Sequence, residues 1–143
     1  MLIKQLSIFT ENKPGGLAPI IETLGKNNID ISALSLADTT DYGILRLIVN
    51  NPDLAVSVLR ETGFIVKITD VLAIVMDDTP GGLSRILDVF VKNDINVDYM
   101  YAFVGTVNKK ALMVVKVSDT DMASLVLDEE GISTAEAKDI YRL

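Results

Sequence analysis

Neither cysteine nor histidine occurs anywhere in the chain. The first absence excludes disulfides, thiolate nucleophiles and Cys-ligated zinc. The second removes the commonest general base and metal ligand. Tryptophan is missing as well, and aromatic residues make up only 6%, so a core has to be built from Ile, Leu and Val. No apolar run approaches the roughly 20 residues that a membrane helix needs. Met1 to Phe9 lacks the basic start and long apolar stretch of a signal peptide. These absences lead to the expectation of a cytoplasmic protein with no membrane partner, no cofactor and no metal.

Positive charge is also scarce. The net charge is −7, and both halves are acidic: residues 1–70 carry 6 basic and 8 acidic groups, residues 71–143 carry 7 and 12. Neither half offers a surface for a phosphate backbone, which argues against nucleic acid. What the chain does have is 49% hydrophobic residues over a length of 143. That suits one ordinary domain or two small ones.

An internal repeat decides for two. Pro14-Gly15-Gly16-Leu17 returns 66 residues later as Pro80-Gly81-Gly82-Leu83. From Pro14 to Ile31, 8 of 18 positions are identical at that offset, Ile20/Ile86, Lys26/Lys92, Asn27/Asn93 and Ile29/Ile95 among them. Further on the offset is 68, and Asp53, Ala55, Leu59 and Gly63 return as Asp121, Ala123, Leu127 and Gly131. A long period present in two copies means a duplicated domain rather than a solenoid.

Each copy reads alike. Residues 3–10 alternate as a strand. Leu17, Ile20, Ile21 and Leu24 are spaced as one face of a helix, as are Leu83, Ile86, Leu87 and Phe90. Residues 30–38 and 43–50 read as strands joined by the polar loop Thr39-Thr40-Asp41-Tyr42. Asn51-Pro52 marks a helix start, with Asp119 as its counterpart, and Gly63 and Gly131 are left-handed stops. Residues 64–69 form a last strand, which runs without Gly or Pro into the first strand of the second copy. The expected order is β-α-β-β-α-β, twice. The fold class is therefore α+β: two ferredoxin-like domains, residues 1–70 and 71–143, each an antiparallel sheet with both helices on one face.

The glycine turns carry the chemistry. Glycine lets backbone approach another group closely, and the helix that follows opens with amides that lack intrahelical partners. Such a terminus favours an anion, a carboxylate included; the same residues also serve as a plain strand-to-helix turn. Asp30 and Asn96 open the second strand of each copy and are expected at the same sheet end as the turn. An oxygen there could accept from an ammonium group. Amides for a carboxylate and an acceptor for an amine suit an α-amino acid.

The turn Asn12-Lys13-Pro14-Gly15-Gly16-Leu17, followed by Asn28-Ile29-Asp30-Ile31, together with the fold order, resembles the ACT domain. Asp78-Thr79-Pro80-Gly81-Gly82-Leu83 and Asp94-Ile95-Asn96-Val97 repeat the likeness, which covers one domain per half. The resemblance implies amino-acid binding at an interface between two ACT domains. Carried over by position, it implicates Asn12, Pro14, Gly15, Gly16, Leu17 and Asp30, and in the second copy Asp78, Pro80, Gly81, Gly82, Leu83 and Asn96. It implies a regulatory protein acting on a separate enzyme of amino-acid metabolism, with no catalysis of its own and no catalytic residues.

The copies are not identical. Asp77-Asp78 sets two carboxylates where a ligand carboxylate would approach, and like charges repel. On the second strand, Leu34 and Leu36 match Met100 and Ala102, all expected to face the helices. On the other face, small Ala33, Ser35 and Ala37 stand against Tyr99, Tyr101 and Phe103. Three aromatics on a face without helices need a cover; packing against the sister domain or across a homodimer provides one. The alternative function is a regulatory subunit whose ACT pair only mediates assembly and binds no small molecule.

Overall fold

The computed structural model describes residues 2–38, 41–105 and 110–140. Clustered by contact, the chain forms two compact units, which divide between Thr69 and Asp70. Leu2 and Ile3 group with the second unit and Ile140 with the first.

The first unit holds β1 (Leu2–Glu11), α1 (Ala18–Lys26), β2 (Ile31–Asp38), β3 (Tyr42–Val49), α2 (Pro52–Glu61) and the opening residues of β4 (Val66–Asp77). Its strand order is β2-β3-β1-β4, and β1 and β2 each pair antiparallel with β3. Ile20 and Leu24 of α1, Ala55, Val56 and Leu59 of α2, and Leu6, Ile8, Leu45 and Leu47 of the sheet form one buried cluster. Both helices therefore lie on one face. The helix α2 begins as its sequence dictates: the Asn51 side chain accepts from the Leu54 N–H, with Pro52 in the first turn. It ends before Gly63, whose φ is +100°. Of the polar loop expected between β2 and β3, Thr39 and Thr40 lie outside the described residues, and Tyr42 already belongs to β3.

The second unit repeats the plan with the rest of β4, α3 (Gly82–Lys92), β5 (Val97–Ala102), β6 (Lys110–Val117) and α4 (Thr120–Glu129). Its strand order is β4-β6-β5, antiparallel. Leu72, Ile74 and Val115 pack under Ile86, Val89 and Phe90 of α3 and Ala123, Val126 and Leu127 of α4. The Asp119 side chain caps α4 by accepting from the Met122 N–H at 3.0 Å.

One expected strand is reduced. After α4 the chain forms a single bridge, Thr134 to Ile74, with the Val75 N–H donating to Ser133 and the Ala135 N–H to Ala73. Then α5 (Ala137–Ile140) begins. Ala135, Glu136, Ala137 and Lys138 are good helix formers and poor strand formers, so extended pairing stops after three residues. Among the described residues six strands result where two full copies would give eight. β4 accounts for the other difference: the last strand of the first copy and the first strand of the second are one uninterrupted strand.

The second strands carry a matched irregularity. Ile31 pairs with Val49 but Ala33 with Ile48, so Ser32 is an extra residue; Val97 pairs with Val117 but Tyr99 with Lys116, so Asp98 is extra. Each β-bulge reverses the side-chain alternation. Ile31 before the bulge and Leu34 and Leu36 after it thus share the helix face, the last two opposite core residues Leu47 and Leu45. Leu34 and Leu36 nevertheless remain 49% and 50% exposed. β2 is the edge strand of its unit, and Leu34 and Leu36, unlike Ile31, lie outside the buried cluster.

Candidate functional site: two glycine turns and their cavities

In the first unit the strand β1 ends at Glu11, whose carbonyl accepts from the Lys13 N–H at 3.0 Å; the Lys13 carbonyl then accepts from the Gly16 N–H at 3.1 Å. In the second unit the Thr79 carbonyl accepts from the Gly82 N–H at the same 3.1 Å. The two glycines of each turn answer different needs. Gly15 and Gly81 have φ of +79° and +89°, with open space where a Cβ would stand. Their requirement is conformational. For Gly16 and Gly82 the requirement is steric: a Cβ would lie 2.5 Å from the Glu11 carbonyl oxygen and 2.4 Å from that of Asp77.

These bonds correct one expectation. The Gly16 and Gly82 amides are tied up inside the turn, so they do not point outward as carboxylate donors. What remains for an anion is Gly15 or Gly81 and the first amides of the helix. Pro19 in the first turn of α1 removes one donor there; α3 has no such proline.

Beside the first turn lies a small cavity of about 110 Å³, lined by Thr10, Asn12, Lys13, Leu17, Leu36 and Gly43 among others. Asn12 and Leu17 thus reach it, while Pro14, Gly15 and Gly16 form the turn at its side. Leu36, not singled out as a binding residue from the sequence, supplies an apolar wall. Its signal lay in the break of alternation at Ser32, which turns Leu36 to the helix face.

The second copy has a larger cavity of about 170 Å³ in a different place, between β4, the start of α3 and the segment after α4. Gly82 lines it; Asp78, Pro80, Gly81 and Leu83 do not. At its rim stand Asp77, Arg85, Lys110 and Ser133. Asp77 is not the bare charge expected from the sequence. Its carboxylate is hydrogen-bonded and ion-paired to the Lys110 ammonium. That hydrogen bond and the charge of Lys110, with a smaller contribution from Arg85, hold the Asp77 carboxyl below its ordinary value.

Asp30 and Asn96 are not beside their own turns. The Asp30 N–H donates to the Asn50 side chain at 3.0 Å, and the Asn96 N–H to the Ser118 hydroxyl at 3.1 Å. Both therefore sit where β2 and β5 begin, whereas the turns neighbour the far ends of those strands: Glu11 pairs with Tyr42 and Asp38 with Gly43. At 3.3 Å per residue, the 8 residues of β2 separate its two ends by roughly 25 Å and the 6 of β5 by roughly 20 Å. The cause is chain direction: α1 returns the chain to the opposite end of the sheet before β2 starts.

Of the three aromatics, Phe103 is buried at 8% exposure and Tyr99 and Tyr101 are half-buried. The two tyrosine rings stack with centroids 6.5 Å apart. Tyr101 pairs with Val114, on the face away from the helices. Among the described residues no cluster of carboxylates could hold a metal ion, and no helix is long and apolar enough to cross a membrane.

Duplicated units with both helices on one face of an antiparallel sheet, each entered through a two-glycine turn, define a ferredoxin-like α+β pair. The chain belongs to the ACT domain pair family, which it matches over residues 1–143. It is similar to the crystal structure of protein BT0572 from Bacteroides thetaiotaomicron, at 40% identity over 100% of this chain and 98% of that one, with a TM-score of 0.93. Two more distant structures share the fold. The regulatory subunit of aspartate kinase from Thermus thermophilus, ligand-free, is 13% identical over 88% of this chain and 91% of its own, TM-score 0.62. That from Thermus flavus is 13% identical over 90% and 92%, TM-score 0.60. No curated protein matches the chain.

Proposed function

We propose that this protein is a cytoplasmic sensor that binds a free amino acid at an ACT–ACT interface and regulates a separate enzyme of amino-acid metabolism, without catalysis of its own. The observation that carries the reading is the first glycine turn. It holds Gly15 in a left-handed conformation beside a small cavity whose lining divides into polar and charged Glu11, Asn12, Lys13 and Asp38 and apolar Leu17 and Leu36. A ligand with a charged head and an apolar side chain matches that division. The half-exposed Leu34 and Leu36 also leave the cavity's apolar wall available to a second ACT surface, and a homodimer provides one. The fold shared with the regulatory subunits of aspartate kinase from Thermus supports a regulatory role.

A screen of thermal unfolding against the twenty amino acids tests this reading. A ligand that binds only the folded state raises the midpoint with concentration. One amino acid, or a small chemically related set, is expected to do so. Twenty flat responses would favour a subunit that serves assembly alone.

A further inference from the structure

The larger cavity of the second copy is lined by two cations and one carboxylate, Arg85, Lys110 and Asp77, where the smaller one of the first copy has one cation and two carboxylates, Lys13, Glu11 and Asp38. Its floor is apolar, from Val75, Ile86 and Ile132, and its rim brings two cations together: Arg85 from α3 and Lys110 from β6. The registers Glu11–Tyr42 and Asp77–Lys110 make Tyr42 the counterpart of Lys110. The sequence repeat makes Pro19 the counterpart of Arg85 and Ile65 that of Ser133. The carboxylate and the close-packed glycine are thus present in both copies, whereas the two cations and the hydroxyl at these three positions are replaced by Pro19, Tyr42 and Ile65 in the first copy.

The cations are also positioned. One Nη of Arg85 donates to the Glu130 carbonyl at 3.1 Å, tying α3 to the end of α4. A guanidinium has five donors in a rigid fork, so this bond orients the group and leaves others for a ligand. The ion pair of Lys110 with Asp77 is about half exposed at both ends. Such pairs are weak, and an ammonium with three donors can share a second acceptor. Two cations against one carboxylate leave a net positive rim on a chain whose net charge is −7. The cavity holds about 170 Å³, several times the roughly 30 Å³ that one water takes up in the liquid. It is smaller than the roughly 300 Å³ at which pockets for drug-sized ligands begin. That accommodates a small anion.

We infer that this cavity is a second binding site, which takes a small oxyanion, a carboxylate or inorganic phosphate, on the Arg85 guanidinium with Lys110 as the second cation. A carboxylate or phosphate fits the fork of Arg85 through two parallel bonds. The site lies within one unit and does not depend on the interface site proposed above.

The test is an amide and arginine side-chain NMR titration of the full chain with sodium phosphate and, separately, sodium malonate, beside sodium chloride at equal ionic strength. Saturable shifts are expected at Gly82, Gly131, Ser133 and the Arg85 side chain, with the Gly15 amide unmoved. Saturation by phosphate alone or by malonate alone supports the site and identifies its anion. Arg85→Gln should weaken binding by roughly tenfold or more, the loss expected when one charge-assisted pair is removed. Lys110→Gln, which leaves the Arg85–Glu130 bond in place, should weaken it as well, with both variants unfolding near the native midpoint. Linear shifts that chloride reproduces, or an affinity unchanged in both variants, would overturn the inference. A Gly15 site that fails while these residues saturate would count against the interface reading alone.

Discussion

At the scale of single residues, the second glycine of each turn is the tighter constraint. An added Cβ at Gly16 or Gly82 would meet backbone, which cannot rotate away as a flexible side chain can. At Gly15 or Gly81 the added methyl meets open space, and the cost is only that of a left-handed backbone, about 1–2 kcal/mol. Gly16→Ala combines a carbonyl clash with displacement of the strand end and should cost about 1–3 kcal/mol, as overpacking does. Urea denaturation of Gly15→Ala, Gly16→Ala and the double variant checks the assignment. The two single effects should differ in origin: Gly16→Ala also disturbs the bond from Thr10 to the Gly16 carbonyl, so its NMR changes should extend to Thr10 and Glu11. If Gly16→Ala is neutral, the steric account of the motif is wrong. The sequence marked both glycines but could not divide their roles, because the division depends on where the Glu11 and Asp77 carbonyls point.

At the scale of elements, the caps and stripes behave as their sequences prescribe. Asn51 and Asp119 each accept from the amide three residues on. Replacing either with Ala should cost about 1 kcal/mol, and since the two are in different units their effects should add to within a few tenths. Thermal or urea unfolding of the single and double variants measures this. Helix stripes were legible because each residue's burial follows from a local period. Strand faces were legible only in part. Hydrophobic residues fall at Ile29 and Ile31 and then at Leu34 and Leu36, a change of phase that the bulge at Ser32 reconciles. Which strand lies at the sheet edge is set by partners distant in sequence, so the exposure of Leu34 and Leu36 could not be read locally. The same holds for Asp30 and Asn96, whose distance from the turns follows from the direction of α1 and α3. The last strand of the second copy failed for a local reason that was present in the sequence: Ala135 to Lys138 favour helix over strand.

At the scale of the whole molecule, duplication explains what the two halves share, and divergence explains how their cavities differ. The repeat carried the turns, caps and cores into both copies. It gave no indication of Arg85 and Lys110, since a residue that stands against Pro19 or Tyr42 leaves no repeated signal, and their meeting at one cavity depends on strand register. The central claim is that the first glycine turn binds the head of an amino acid. Calorimetry of the native chain and Gly15→Val, with the amino acid that raises the native midpoint, tests it most directly. The Cβ of valine meets open space at that position, but a β-branched residue disfavours the left-handed backbone, so the turn is perturbed while both cores remain. The account predicts a loss of affinity of at least tenfold with native-like cooperative unfolding. Equal affinity in the two proteins would contradict it.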